Sequence, residues 1–281
     1  MAEVESFPLA GSDADLPLAA AEEAICLFAF IECADSLEPP DEPPERRLML
    51  HRVGTVVALI GVAPMADYCG ADAERRLADV AWLAPRVRRH AEIMDWAMRR
   101  SPVFPVPFGT LYSNIASLTT FMRAHEATIA DFFEAVADKE EWELRAVAQF
   151  DRPDILDKLA CNKWPDWREL PKGARYMRLC RDRAALVDFG CAEAAAFVSD
   201  FVLELRPLTA GIRLQDIHRL PDSEGSRPIA RYALLVPLSN VAAMRTRIEE
   251  IAADAARRDV TVTLSGPWPP FSFRPDLKSP Q

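Results

Sequence analysis

Several signatures are missing from these 281 residues, and each absence removes a class of function. None of the 10 glycines falls in a GxGxxG, P-loop or GxSxG pattern, so no local dinucleotide, triphosphate or nucleophile-elbow chemistry is written here. His51, His90, His125 and His218 are scattered, and no HExxH occurs. Cys26, Cys33, Cys69, Cys161, Cys180 and Cys191 form no CxxC pair and have no histidine at a metal-ligand spacing, so they are expected as buried free thiols. No apolar run approaches the ~18 residues of a membrane span. The first residues are acidic (Glu3, Glu5, Asp13, Asp15) and lack the basic start of a secretory signal. The expectation is a cytoplasmic protein with no catalytic residue, no metal and no cofactor.

What is present is an ordinary globular composition, 50% hydrophobic and 27% charged. The net charge of -10 is unevenly spread. Residues 1–50 hold twelve Asp/Glu against two Arg, whereas residues 51–281 balance at 31 against 31. A neutral folded part gives no nucleic-acid surface.

Residues 1–21 read as a disordered acidic leader. Glu22 to Ile31 is an apolar run of strand length, expected as a buried strand. The segment 36–47, with four prolines and several acids, is expected as a solvated loop. Arg52 to Val62 is β-branched and reads as one strand. A helical stripe follows at Leu77, Val80, Ala81 and Ala84, then Val87, Ala91, Met94 and Met98, with a break and a new helix expected at Pro85. Its polar face carries Arg86, Arg88, Arg89, Arg99 and Arg100, either solvated surface or a face for an acidic partner. Val103, Phe104 and Val106 suggest a short strand that Pro105 and Pro107 confine to an edge. A helix is expected from Leu111 to Val136.

The second half opens on Glu141 to Phe150, where Trp142, Leu144, Ala146 and Ala148 alternate with mostly charged residues in a half-buried strand. Met177, Cys180, Ala184, Val187, Cys191, Ala194, Val198, Val202 and Leu205 step by three or four along one helix. Strands at 208–217 and 229–238 flank a polar turn at 221–225. A helix with Ser239 or Asn240 as its cap and a final strand at 260–264 complete the order β-α-β-β-α-β. The fold class is thus α+β in two domains. A mixed α/β domain spans 22–138, a ferredoxin-like βαββαβ domain spans 139–265, and an aromatic, proline-rich tail spans 266–281.

That tail begins in LSGPWPPFSF at 264–273. Pro267, Pro269 and Pro270 exclude helix and interior strand, and they present Trp268, Phe271 and Phe273 on a stiff backbone. Such rings either clasp another part of the chain or wait for a partner. The tail is expected to pack on the N-terminal domain near Phe104 to Thr110, with its three rings fixing the angle between domains.

Three segments now stand in order: AWLAPRVRRH at 81–90, PVFPVPFGT at 102–110 and LSGPWPPFSF at 264–273. With Glu141-Trp142, and Gly173 with Tyr176, they resemble the GvpL/GvpF family of gas vesicle proteins over about residues 22 to 273. The resemblance marks Trp82, Pro85, His90, Phe108, Gly109, Thr110, Trp142, Gly266, Pro267, Trp268, Pro269, Pro270, Phe271 and Phe273 as structural or interaction positions. This chain departs from the family at Pro107 (Arg there), Arg145 (Lys) and Phe271 (Tyr). No role of that arginine carries over. The missing tyrosine hydroxyl removes a hydrogen bond worth ~1 kcal/mol.

What the resemblance implies is a gas-vesicle-associated accessory protein of the organelles that give cells buoyancy. It would bind the small, very hydrophobic shell protein in a chaperone-like or minor structural role, and would associate with other gas vesicle proteins, without nucleic acid or membrane insertion. A different reading, from fold analogy, is a small-ligand-binding regulatory protein. A third is an enzyme centred on His90 and Thr110. Asp95 lies off the face of His90, so no His–Asp dyad forms. Phe108-Gly109-Thr110 reads either as an anion nest or as a tight turn with Thr110 as helix cap.

Overall fold

The computed structural model describes residues 23–32, 47–70, 72–150, 152–217 and 226–277. The leader, nearly all of the 36–47 loop, the 221–225 turn, Cys33 and His218 lie outside them. Two compact units emerge. One holds the described residues up to Ala137 together with those from Pro269 on, and the other is Asp138–Trp268.

The first unit is built on a five-stranded antiparallel sheet of β1 (Glu23–Glu32), β2 (Met49–Val53), β3 (Val56–Pro64), β4 (Val103–Pro105) and β5 (Leu111–Tyr112), in the order β2-β3-β1-β4 with β5 also pairing β1. Strand β1 (Glu23–Glu32) is buried along nearly its whole length. On one face Ala29 and Ile31 pack with Ile93, Met94 and Ala97 of helix α3 (Val80–Met98). On the other, Phe30 stacks on Phe121 of α4 (Ile115–Val136). Cover on both faces is why this strand reads as continuous apolar sequence.

Four local expectations change. The segment 49–64 is a hairpin, β2 (Met49–Val53) and β3 (Val56–Pro64), turned at Gly54, whose φ of 57° suits glycine. Two short helices, α1 (Met65–Tyr68) and α2 (Ala73–Ala78), precede α3. The helix break falls at Asp79, whose carboxylate accepts from the Ala81 N–H at 2.9 Å. Helix α3 runs through Pro85. The carbonyl that Pro85 leaves unpaired, that of Ala81, belongs to an exposed residue near the helix start, where water can satisfy it. The buried face of α3 is His90, Ile93, Met94 and Ala97, whereas Val87 is 42% exposed and Val80 75%. Finally, β4 (Val103–Pro105) is the expected edge strand, but Leu111–Tyr112 forms β5, and α4 begins only after Asn114, whose side chain accepts from Ser117 N–H at 2.9 Å.

The second unit is a four-stranded antiparallel sheet in the order β7-β8-β6-β9. Its strands are β6 (Lys139–Ala148), β7 (Gly211–Leu214), β8 (Arg227–Pro237) and β9 (Val260–Trp268). Trp142, Leu144, Ala146 and Ala148 point from β6 into one core. They meet α5 (Pro153–Lys163), α6 (Lys172–Glu204) and α7 (Val241–Ala256) there. The segment after β6 is α5 followed by a turn in which buried Trp167 donates to Asp157 at 2.8 Å. Among the described residues no helix is long and apolar enough to cross a membrane.

Helices α5 and α6 meet at Gly190, where a Cβ would lie 2.8 Å from a Leu159 methyl and 3.1 Å from the Phe150 ring. Alanine there gains about 1 kcal/mol of helix propensity against a small clash. Valine adds two methyls with no room, so Gly190→Val is expected to cost about 1–3 kcal/mol and lower Tm by several degrees in a thermal melt.

Candidate interaction sites

The first motif cluster forms in the first unit, where β1, α1, α3 and the turn after β4 converge. Asp79 starts α3 so that Trp82, Arg86 and His90 recur at intervals of four and share one flank. Trp82 meets Tyr68 edge-on at 5.8 Å between ring centres. Tyr68 reaches Phe108 at 6.1 Å, and Phe108 reaches His90 at 5.8 Å. Phe28 closes the group, 5.8 Å from His90. Arg86 lies 3.8 Å over the Trp82 ring and donates to Asp67 at 3.1 Å. Of the expected basic face, Arg86 is therefore turned inward, Arg99 pairs with Asp95, and Arg100 lies over Trp96.

His90 is 7% exposed, and its Nε2 has no hydrogen-bond partner among the described residues. Burial holds its pKa below the ordinary histidine value, partly opposed by a hydrogen bond to the Val106 backbone. The imidazole is therefore packed neutral between rings. Gly109 sits at a φ of 82° in the turn that follows. The Thr110 hydroxyl donates to the Pro107 carbonyl at 2.7 Å, and its own carbonyl accepts from Leu27 N–H at 2.9 Å. Thr110 thus closes a turn, the helix cap is Asn114, and the hydroxyl is spent within the loop. Pro85 and Pro107 are on the surface.

The second motif cluster joins β6 to the end of β9. Glu143 pairs with Ser265 and Glu141 with Trp268, so β9 carries an extra residue at Gly266-Pro267. As an edge strand β9 tolerates Pro267, which has no N–H to give. Gly266 has φ 142°, and a Cβ there would meet the Glu141 carbonyl and the Trp142 ring, both at 3.1 Å. Trp142 is buried and donates to Glu140 at 3.1 Å. On the opposite face of β6, Glu143 accepts from Arg231 at 2.7 Å and also pairs with Arg145.

Trp268 bonds Ser265 through its indole N–H at 3.2 Å yet is 48% exposed, and Phe271 is 40% exposed. Pro270 is the buried residue of the tail motif, with Pro269 and Phe273 half-buried. Two backbone bonds, Phe271 N–H to Pro269 and Phe273 N–H to Pro270, curl it tightly. Pro270 rather than the rings is thus the enclosed part of the motif, while Trp268 and Phe271 keep a large exposed surface. Tyr68 and Asp67 were not legible as site residues, because α1 carries no motif and reaches the cluster only through the β3 connection.

The thiols divide. Cys26 is buried and its pKa is pushed up to about 11, whereas Cys69 and Cys180 are exposed. Among the described residues no group of three or more His, Cys, Asp or Glu could hold a metal.

These features define an α+β protein of two antiparallel sheets. Residues 25–275 match the family described as gas vesicle synthesis protein GvpL/GvpF. Gas vesicle protein L2 of Halobacterium salinarum is 36% identical over 113 residues, 39% of each chain. Gas vesicle protein L of a Streptomyces species is 25% identical over 233 residues, 83% of each. The crystal structure of GvpF from Anabaena superposes with a TM-score of 0.64 at 14% identity, covering 92% of this chain and 99% of that one. GvpF from Microcystis aeruginosa gives 0.61 at 13%, covering 90% and 99%. The two structures speak to the fold. The chain belongs to the GvpL/GvpF family, whose work is gas vesicle assembly.

The environment of His90 has a pH signature. Its folded pKa lies below the unfolded value of about 6.5, so the unfolded chain takes up the proton first. Stability is full above about pH 6.5 and falls as pH drops from there toward the folded pKa. Melts at stepped pH should show His90→Phe losing less stability than wild type on acidification. Equal slopes would remove His90 from this role.

Proposed function

We propose that this protein is an accessory factor that binds the hydrophobic gas vesicle shell protein and other gas vesicle proteins, holding the shell subunit soluble before assembly. The observation that carries the reading is the family match over residues 25–275. Chemistry on the surface supports it. Trp268 and Phe271 offer large apolar area on proline-stiffened backbone, which loses little entropy on contact. The acidic first 50 residues would keep a complex with an insoluble partner dispersed.

Co-expression with the shell protein and capture through a tag on this chain is expected to recover both. Failure to co-purify, together with normal vesicles in a deletion strain, would defeat the reading. Trp268→Ala is expected to weaken capture about tenfold, as loss of an aromatic anchor does, with little change in Tm. A large drop in Tm with unchanged capture would instead make Trp268 a packing residue.

A regulatory ligand-binding role is the second reading. The second unit does contain a groove of about 360 Å³ lined by Trp142, Arg245, Ile248, Glu249 and Leu264, among others. A thermal-shift screen of small metabolites that raised Tm, with Arg245→Ala abolishing the rise, would favour it.

A further inference from the structure

Helix α6 is longer than the core it serves. Its 33 residues span about 50 Å, and its first buried residue is Leu186. From Lys172 to Ala185 nothing is buried. Yet the apolar periodicity does not stop there. At about 100° per residue, Gly173, Tyr176, Met177, Cys180 and Ala184 fall on the same arc as Val187, Cys191, Ala194, Val198 and Val202. The stripe that seats the C-terminal half of α6 on its sheet continues along the same face into solvent. Tyr176 is 67% exposed and Met177 68%.

The other side of this arm is already engaged. Arg178 lies 4.3 Å over Trp164 and bonds Asp166 at 2.9 Å, and Arg175 donates to the carbonyls of Leu170 and Arg168. The exposed stripe is bordered by Lys172 and Arg183 on one side and by Arg181, 74% exposed and paired with its neighbour Asp182, on the other. Residues 163–183 hold seven Lys/Arg against three Asp/Glu, in a chain whose residues 51–281 balance overall.

We propose that this overhanging stripe docks an amphipathic helix of a partner protein whose polar flanks are acidic. An apolar strip one side chain wide and about 21 Å long matches the seam of a helix of nearly four turns. The basic borders select acidic flanks and disfavour a second copy, because two such arms side by side would set Lys172, Arg181 and Arg183 against their own kind. This surface stands apart from the shell-protein reading, since only a charge pattern and a helix define its occupant.

The test uses the full chain and two labelled synthetic peptides of four turns. Both carry leucine at the seam positions, one flanked by glutamate and one by lysine, and binding is followed by fluorescence anisotropy. The glutamate peptide is expected to bind about tenfold tighter, with the preference shrinking in high salt. The Tyr176→Ser, Met177→Ser double variant should lose binding at unchanged Tm, and Arg181→Glu with Arg183→Glu should invert the preference. Equal affinities, no binding by ~100 μM, or binding untouched by the double variant would overturn the proposal. So would a dimer in sedimentation equilibrium that the double variant dissolves, which would make the occupant a second copy. Binding of phosphatidylglycerol vesicles without peptide preference would make it a lipid surface.

Discussion

The pairing of β6 with β8 on one side and β9 on the other is the constraint on which the second unit hangs. One face of β6 supplies Trp142, Leu144, Ala146 and Ala148 to the core, so a slip by one residue would send all four to the opposite face. Register is held at the far end by Gly266, where the backbone of β9 crosses the Trp142 ring with no space for a side chain. The same crossing releases the chain toward Pro269 and the tail. Glu141-Trp142 and Gly266-Pro267-Trp268 are therefore two halves of one junction, though Trp142 and Gly266 are 124 positions apart.

In the first unit the organising fact is a central strand with both faces covered. Because β1 lies under α3 on one face and α4 on the other, most of the rings around it come from its neighbours. Phe28, Tyr68, Trp82, Phe108 and His90 gather there from four separate segments, joined by ring contacts and by Arg86 bridging Trp82 to Asp67. A buried neutral histidine among rings is a packing element first, and its desolvation makes it sensitive to acid.

The sequence was legible where periodicity and burial coincide. The alternation of Trp142 to Ala148, the apolar run of β1 and the edge character forced on 103–105 by proline all state their environments directly. It was illegible where a pattern carries no end point. The stripe of α6 looks the same at Met177 as at Val198, and the period cannot tell how far a sheet extends beneath it. Val53-Gly54-Thr55-Val56 reads as β-branched strand on either side, which hides the hairpin turn. Pro85 suggests a helix start, but Asp79 had already nucleated one, and an exposed first turn absorbs the lost bond. As for the motif residues, their grouping into a β1–α3 cluster and a β6–β9 junction follows from strand pairing, which no linear spacing encodes.

The bulge at the end of β9 has a consequence for the open edge of the second sheet. An open sheet edge is a template onto which foreign strands can add, and repeated addition builds aggregates. Here the edge strand is short and regular only up to Ser265, then kinks where Pro267 offers no donor. Thr261 and Thr263 keep its outer positions polar and exposed. The edge is thus blunted at one end and wetted along its length, so exposure of apolar rings next to it need not come with a strand that polymerises.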